Sequence, residues 1–495
     1  ANSYAQNRDF ETEFVDYINK VKNLWEIPGL SISVIKDGQI LYSAGFGVKE
    51  MGLQDSVDCS TLFQIGSVTK SFTALTIASM VDQGLLSWDD SVKNILPDFR
   101  MYDKWVEQNM LVKDIMTHRS GLQGQLGTYI PNMGYSRDDI YKMLPLIKPK
   151  YSFRNSYEYN NITFIIASKI IEKLTGKSWE DNVRERVFLP LQMNRSIVTG
   201  EEFDVANNVS AAHNFSYAGY YNSDSTITDS LAIYPLVGDE RALHWLTVIG
   251  PAGSISSTAH DMSKYLSLYL NDGVLPNGER LISKSQIDFL KRGITITSQD
   301  SARTTLYSNC WFVEQNSRYR FYFHTGTTWG FTALVAYIPE LNLGVSLLFN
   351  SEIPSAPRMA ILRRVIDYFF NEKELSDLNE SSYSEWISSS RKRLATVKKE
   401  EPASKQYSDS HIIGQYYKDD LFGGAKITLE NGELFIEIGP KNIKVKLEHV
   451  NGDKYSYRTG GYTYKMEFIG DGSKIEGFDL SFGYSENFGL WRKME

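Results

Sequence analysis

Three turn dipeptides near the end of this 495-residue chain restrict its fold more than any other feature: Asn431-Gly432, Asn451-Gly452 and Asp471-Gly472, spaced 20 residues apart. Asn-Gly and Asp-Gly favour tight hairpins because their residues tolerate positive φ. The stretches between them, such as "AKITL" and "LFIEI", alternate apolar and polar residues and so read as half-buried strands. Such a segment closes as a small all-β barrel or sandwich. We therefore expect a separate all-β domain over residues 411–495. Before it, "NEKELSDLNESSYSEWISSSRKRLATVKKEEPASKQYSDS" is charged and Ser-rich, as expected of a linker over 373–410, with Trp386 marking a docked helix.

Residues 1–372 carry a different pattern. An amphipathic helix over 11–27 precedes "GLSISVIKDGQILYSAGFG", whose β-branched residues and central Asp37-Gly38 predict a hairpin. A helix is expected from Ser67 to Gly84, another from about Ile162 to Gly176, and a third after "GPAGSISS". The pair "FTALVAYIP" and "LGVSLLFN" reads as two strands, followed by a helix from "PSAPRMAILRRVIDYFF". Residues 198–250 show no regular period, and neither do 123–158, which we expect to rim or cover a site.

Composition bounds the function. With 42% hydrophobic and 23% charged residues the chain is globular, and its net charge of -8, without any basic block, disfavours nucleic acid as a partner. Two cysteines are too few for a disulfide framework, and the seven histidines form no zinc-peptidase motif. No dinucleotide glycine motif or Gly-x-Ser-x-Gly elbow occurs, so no cofactor is implied. No window approaches the roughly 18 uncharged apolar residues of a membrane span. The start at "ANSYAQ" without Met fits either a trimmed chain or a mature one after signal-peptide removal, and we expect a secreted or periplasmic location, otherwise a cytoplasmic one.

The pattern Ser-x-x-Lys occurs at Ser33/Lys36, Ser67/Lys70 and Ser389/Lys392. The first pair lies on a strand, where an i, i+3 spacing faces opposite sides. The third lies in the Ser-rich polar stretch. Only "FQIGSVTKSFTAL" runs into a long apolar segment, which places the serine and lysine on one face at a helix start. A serine hydroxyl becomes nucleophilic when a neighbour takes its proton, and a desolvated lysine can be neutral enough to do so.

The order Ser67-x-x-Lys70, Tyr159-x-Asn161, His324-x-Gly326 resembles the penicillin-binding, β-lactamase-like serine hydrolases. Within them it resembles the class C β-lactamase and D-aminopeptidase or esterase branch. The flanks "IPGLSISVIKDGQILYSAGFG", "DIMTHRSGL" and "PAGSISSTAHDMSKYL" look like that family's framework over roughly 12–372, and 411–495 is similar to the lipocalin-like domain of some members. The resemblance implies an α/β fold with an antiparallel sheet flanked by helices, an all-helical subdomain, and the small barrel. It implies that Ser67 forms an acyl-enzyme, that Lys70 takes its proton, and that Tyr159 protonates the leaving group and then activates water. Asn161 would orient Lys70 or substrate, although Asn160 beside it competes for that role. The amides of Ser67 and Thr327 would form an oxyanion hole, and Gly326 would allow close approach of substrate.

His324 stands where β-lactamases usually carry lysine, which disfavours antibiotic hydrolysis as the main role. Thr327 and Trp329 depart from the family's usual glycine and proline, and Trp329 would narrow the acyl pocket. The expected activity is hydrolysis of a small amide, ester or D-amino-acid peptide. A β-lactamase or D,D-carboxypeptidase activity, or a non-catalytic binding or sensor role, are the alternatives. Expected partners are a small-molecule or short peptide substrate, with a homo-oligomer possible.

Overall fold

The computed structural model describes residues 2–124, 130–221, 227–236, 240–370, 378–396, 403–419, 422–459, 462–482 and 486–495. They divide into two compact units: 1–88, 171–237 and 250–397 form the first, and 89–170, 238–249 and 398–495 the second.

The first unit is built on an eight-stranded antiparallel sheet. Its strands are β1 (Gly29–Lys36), β2 (Gln39–Gly47), β3 (Thr295–Gln299), β4 (Thr304–Tyr307), β5 (Phe312–Gln315), β6 (Arg320–Thr328), β7 (Phe331–Ile338) and β8 (Leu343–Phe349), in the order β2-β1-β8-β7-β6-β5-β4-β3. The turn between β1 and β2 is the expected Asp37-Gly38, both at positive φ. Strands β7 and β8 are buried along their whole length, which is why they read as continuous apolar runs.

Helices cover both faces of that sheet. On one, α1 (Asn2–Leu24) sends Phe10, Phe14, Ile18 and Val21 into a core shared with Leu334, Ala336, Val345 and Leu347. The three- and four-residue steps keep those side chains on one face. On the other face lie α2 (Thr69–Asp82) and α3 (Ala259–Leu270), where Ser346 Oγ donates to Ala259 O at 3.4 Å. Helix α4 (Ser355–Phe369) adds Ile361, Leu362 and Val365 to the first core.

Within 373–410, read as linker with a docked helix, Leu378–Thr396 form α5. Its Trp386 packs on Trp25 at 5.5 Å and Phe215 at 5.6 Å, and Tyr383 on Trp25 at 5.0 Å. The stretch 198–250 is more regular than its sequence suggested: His213–Tyr221 and Ile227–Pro235 pair as a hairpin, and Glu240–Val248 is helical. Aromatic and polar residues alternate there without a strong apolar face, so periodicity missed it.

The second unit joins short helices to a nine-stranded antiparallel sheet. The strands are β9 (Gly414–Tyr417), β10 (Gly424–Glu430), β11 (Glu433–Ile438), β12 (Ile443–Lys446), β13 (Glu448–Asn451), β14 (Lys454–Thr459), β15 (Tyr462–Gly470), β16 (Ile475–Phe482) and β17 (Glu486–Lys493). Their order is β12-β11-β10-β9-β17-β16-β15-β14-β13, and β12 approaches β14, giving a nearly closed barrel. All three dipeptide turns join neighbouring strands as expected. The interior is aromatic: Tyr457 stacks on Tyr464 at 4.9 Å and Phe478 on Trp491 at 5.7 Å.

The barrel is not a bead on a string within its unit. Thr459 Oγ1 donates to Asn132 O at 3.3 Å, and Tyr135 OH donates to Phe422 O at 2.9 Å. A Cβ at Gly439 would lie 1.8 Å from Met133 O, so the loop after β11 and residues 132–135 are in backbone contact. Among the described residues no helix is long and apolar enough to cross a membrane.

Candidate active site

Ser67 lies in the 3-10 turn Gly66–Val68, which feeds directly into α2. The two-stranded pairing of Phe63 with Ser257 and Gln64 with Ser256 sets that turn, and Ile65 N donates to Ile255 O at 3.0 Å. Helix α2 is buried from Thr69 to Met80, so its polar residues must find partners inside the protein. Thr73 Oγ1 donates to Pro251 O at 2.7 Å, and Ile255 N donates to Thr69 Oγ1 at 3.1 Å.

Lys70, fully buried, is held by the same segment. Its Nζ donates to Ala252 O at 2.9 Å and to Ser67 Oγ at 3.1 Å. Behind it, Tyr265 stacks on Phe72 at 3.9 Å and lies 5.3 Å from Tyr269, which packs on Trp311 at 5.0 Å. Burial lowers the Lys70 ammonium from 10.5 to about 7. Burial also pushes the Cys310 thiol well up, so it stays neutral. The pairing Ser67/Lys70 is therefore a hydroxyl beside an amine that is about half neutral at pH 7.

The strand end of β6 closes the other side. Its pairing with β5 covers Arg320–Phe323 only, so residues 324–328 have β7 on one side and the Ser67 turn on the other. A Cβ on Gly326 would lie 1.8 Å from Ile65 O and 3.1 Å from Ser67 N. A Cβ on Gly66, at φ +51°, would lie 2.7 Å from Thr327 N. Both glycines are thus required by close backbone approach, and the amide nitrogens of Ser67 and Thr327 flank one junction. Thr327 is exposed, and Trp329 sits half-buried in the turn before Phe331.

His324 is buried behind this junction. Its Nδ1 donates to the Thr325 carbonyl at 2.7 Å, so the neutral ring accepts at Nε2, where Tyr307 OH donates at 3.3 Å. Burial and the Lys70 ammonium drive it down to about 3, and it is uncharged at neutral pH.

Tyr159 and Asn161 belong to the second unit. Tyr159 is half-buried, and its ring lies 4.2 Å from the His118 ring, tilted by 34°. Asn160 is committed to main-chain atoms: Nδ2 donates to Gln123 O at 2.9 Å, and Ile162 N donates to Oδ1 at 2.8 Å, capping the helix Ile162–Thr175. Asn160 is thus tied to main-chain groups at the helix start.

The first unit thus gathers Ser67, Lys70, His324, Gly326 and Thr327, and the second holds Tyr159 and Asn161. Sequence reasoning missed Ala252 O, Tyr307 and His118. "GPAGS" and "THRSG" advertised turns, but no spacing tells which carbonyl meets the lysine.

The β-lactamase family profile matches residues 18–368. An unguisins hydrolase of Aspergillus campestris is 28% identical over 357 residues, 70% of this chain and 62% of the relative, so the chain spans less than two thirds of that protein. A penicillin-binding protein 4 of Amycolatopsis lactamdurans is 25% identical over 337 residues, 67% of this chain and 82% of that one. The octameric penicillin-binding protein homologue from Pyrococcus abyssi shares the fold over 97% of this chain and 99% of its own, with a TM-score of 0.59 at 21% identity. With the profile covering well over half its length, this chain belongs to the β-lactamase family.

Proposed function

We propose that the protein is a serine hydrolase that cleaves a small amide, ester or D-amino-acid peptide through an acyl-enzyme on Ser67. The observation that carries this reading is the 3.1 Å contact between Ser67 Oγ and a lysine amine lowered to about 7 by burial. Neutral Lys70 takes the hydroxyl proton as Oγ attacks the substrate carbonyl. The developing oxyanion is met by the amides of Ser67 and Thr327, and two such donors in a water-poor site are worth several kcal/mol. Tyr159 returns a proton to the leaving group, then activates the water that releases the acyl group. Asn161 orients Lys70 or the substrate.

A neutral His324, where a permanent cation would clamp a substrate carboxylate, favours amide or ester substrates without one. Trp329 narrows the acyl side. Named relatives include an unguisins hydrolase and a penicillin-binding protein 4, so a β-lactamase or D,D-carboxypeptidase activity is the second reading. The test is a panel of p-nitrophenyl esters, D- and L-aminoacyl anilides and nitrocefin, with Ser67→Ala as control. Turnover of anilides or esters that disappears in Ser67→Ala supports the first reading. Turnover of nitrocefin alone supports the second, and no turnover with any of them refutes both. Assembly into a homo-oligomer is a further proposal, checked by light scattering on the purified chain.

A further inference from the structure

We propose that His118 is the positioning residue for Tyr159, holding the 158–160 segment from one side with both its main chain and its ring. Three contacts converge on this histidine. Glu158 N donates to His118 O at 2.8 Å, Asn160 N donates to His118 Nδ1 at 3.0 Å, and the Tyr159 ring lies 4.2 Å from the imidazole. Successive residues 158, 159 and 160 are therefore each fixed by the same residue. The neighbouring turn adds to the hold, with Gly124 N donating to Glu158 Oε2 at 3.2 Å and Asn160 Nδ2 to Gln123 O.

His118 adopts φ +54°, a left-handed conformation uncommon for a residue with a Cβ. This conformation lets the carbonyl and the ring of one residue serve the same segment, and such outliers persist only where surrounding contacts over-determine them. The side chain is fully buried, so no solvent competes with its Nδ1 for the Asn160 amide. Because Asn160 N–H is a donor, Nδ1 carries no hydrogen and the ring is the Nε2–H tautomer. An apolar side chain of equal size would leave the Asn160 amide buried without its acceptor, and a register error of about 1 Å at a proton-transfer group can cost about 100-fold in rate.

This inference rests on Tyr159 having the proton-transfer role given above, and the experiment separates the two. Turnover of an ester substrate found in the panel is measured for Tyr159→Phe, His118→Gly, His118→Asn and the double variant His118→Gly/Tyr159→Phe, with fluorophosphonate labelling of Ser67 followed in parallel. Glycine suits φ +54° and removes only the ring. Asparagine also tolerates that φ and places Oδ1 near the position of Nδ1.

We expect His118→Gly to lower kcat about 10- to 100-fold, His118→Asn to restore it to within a few-fold, and His118→Gly to add little in the Tyr159→Phe background. Should His118→Gly not fold, His118→Asn/Tyr159→Phe against its single variants carries the same test. Fully multiplicative defects, or His118→Asn no better than His118→Gly, overturn the positioning role while leaving the Tyr159 assignment intact. Unchanged turnover in Tyr159→Phe instead overturns the assignment of Tyr159 and, with it, the role of His118.

Discussion

On the proposed mechanism, lysine basicity at position 70 sets how fast Ser67 is acylated, and pH is the cleanest perturbation of it. Burial takes this ammonium from 10.5 to about 7. At pH 7 about half of the molecules hold a neutral amine, whereas an ordinary lysine would be neutral in roughly one in three thousand. The burial of α2 is therefore worth on the order of a thousandfold in the population able to accept the Ser67 proton, equivalent to about 4 kcal/mol. The pseudo-first-order rate of labelling by a fluorophosphonate probe, followed from pH 5 to 10, should rise about tenfold per pH unit below 7 and level off above it. Lys70→Arg keeps the charge but cannot be deprotonated, so its labelling should fall by about a thousandfold and lose the inflection. An inflection above pH 9, or wild-type labelling in Lys70→Arg, would refute the reasoning.

Four other outcomes follow from the same structure. A lysine whose folded pKa lies below its unfolded one binds fewer protons when folded, so stability should rise with pH between about 7 and 10.5, by at most about 5 kcal/mol, and denaturant titrations of Lys70→Met should lack that rise. His324 obeys the same sign at lower pH: held at about 3 against an ordinary 6.5, it destabilises the fold progressively as pH falls through that interval, and His324→Gln should flatten the acid limb of the same titration. Gly326→Ala places a Cβ 1.8 Å from a main-chain carbonyl, which no flexible side chain can relieve, and should abolish Ser67 labelling or lower thermal stability by about 1–3 kcal/mol, read by calorimetry. A chain ended before residue 404 retains the whole first unit and should still label at Ser67, but it uncovers residues 132–135 and should lose at least about tenfold in turnover, measured on one preparation by probe and by substrate.

Much of this fold is legible because its signals are local. Asn-Gly and Asp-Gly announce hairpins through positive φ, and the uniformly apolar β7 and β8 announce strands buried on both faces. Helix α2 is legible from its apolar and small residues running to the Gly84 stop, although its threonines and serines are buried as well. The hairpin at 213–235 is hidden because its strands mix aromatic and polar residues, whereas α5, an otherwise hydrophilic helix, is legible through its docked aromatic anchor Trp386.

At the candidate site, the Ser67–Lys70 pair and the Gly326 approach are readable from order and spacing, whereas their supports are not. Ala252 meets Lys70 through a carbonyl that every residue possesses, and His118 acts through a backbone conformation. That Asn160 receives the Ile162 amide at the helix start is likewise a matter of three-dimensional geometry.

Covalent capture of Ser67 tests the central claim most directly. After reaction with a fluorophosphonate probe, intact mass should rise by one phosphonyl adduct. Tryptic mapping should place it on the peptide ending in "IGSVTK", from Glu50 to Lys70, with no adduct in Ser67→Ala. An adduct on any other residue, an adduct that persists in Ser67→Ala, or an unmodified Ser67 in folded protein would contradict the acyl-enzyme account.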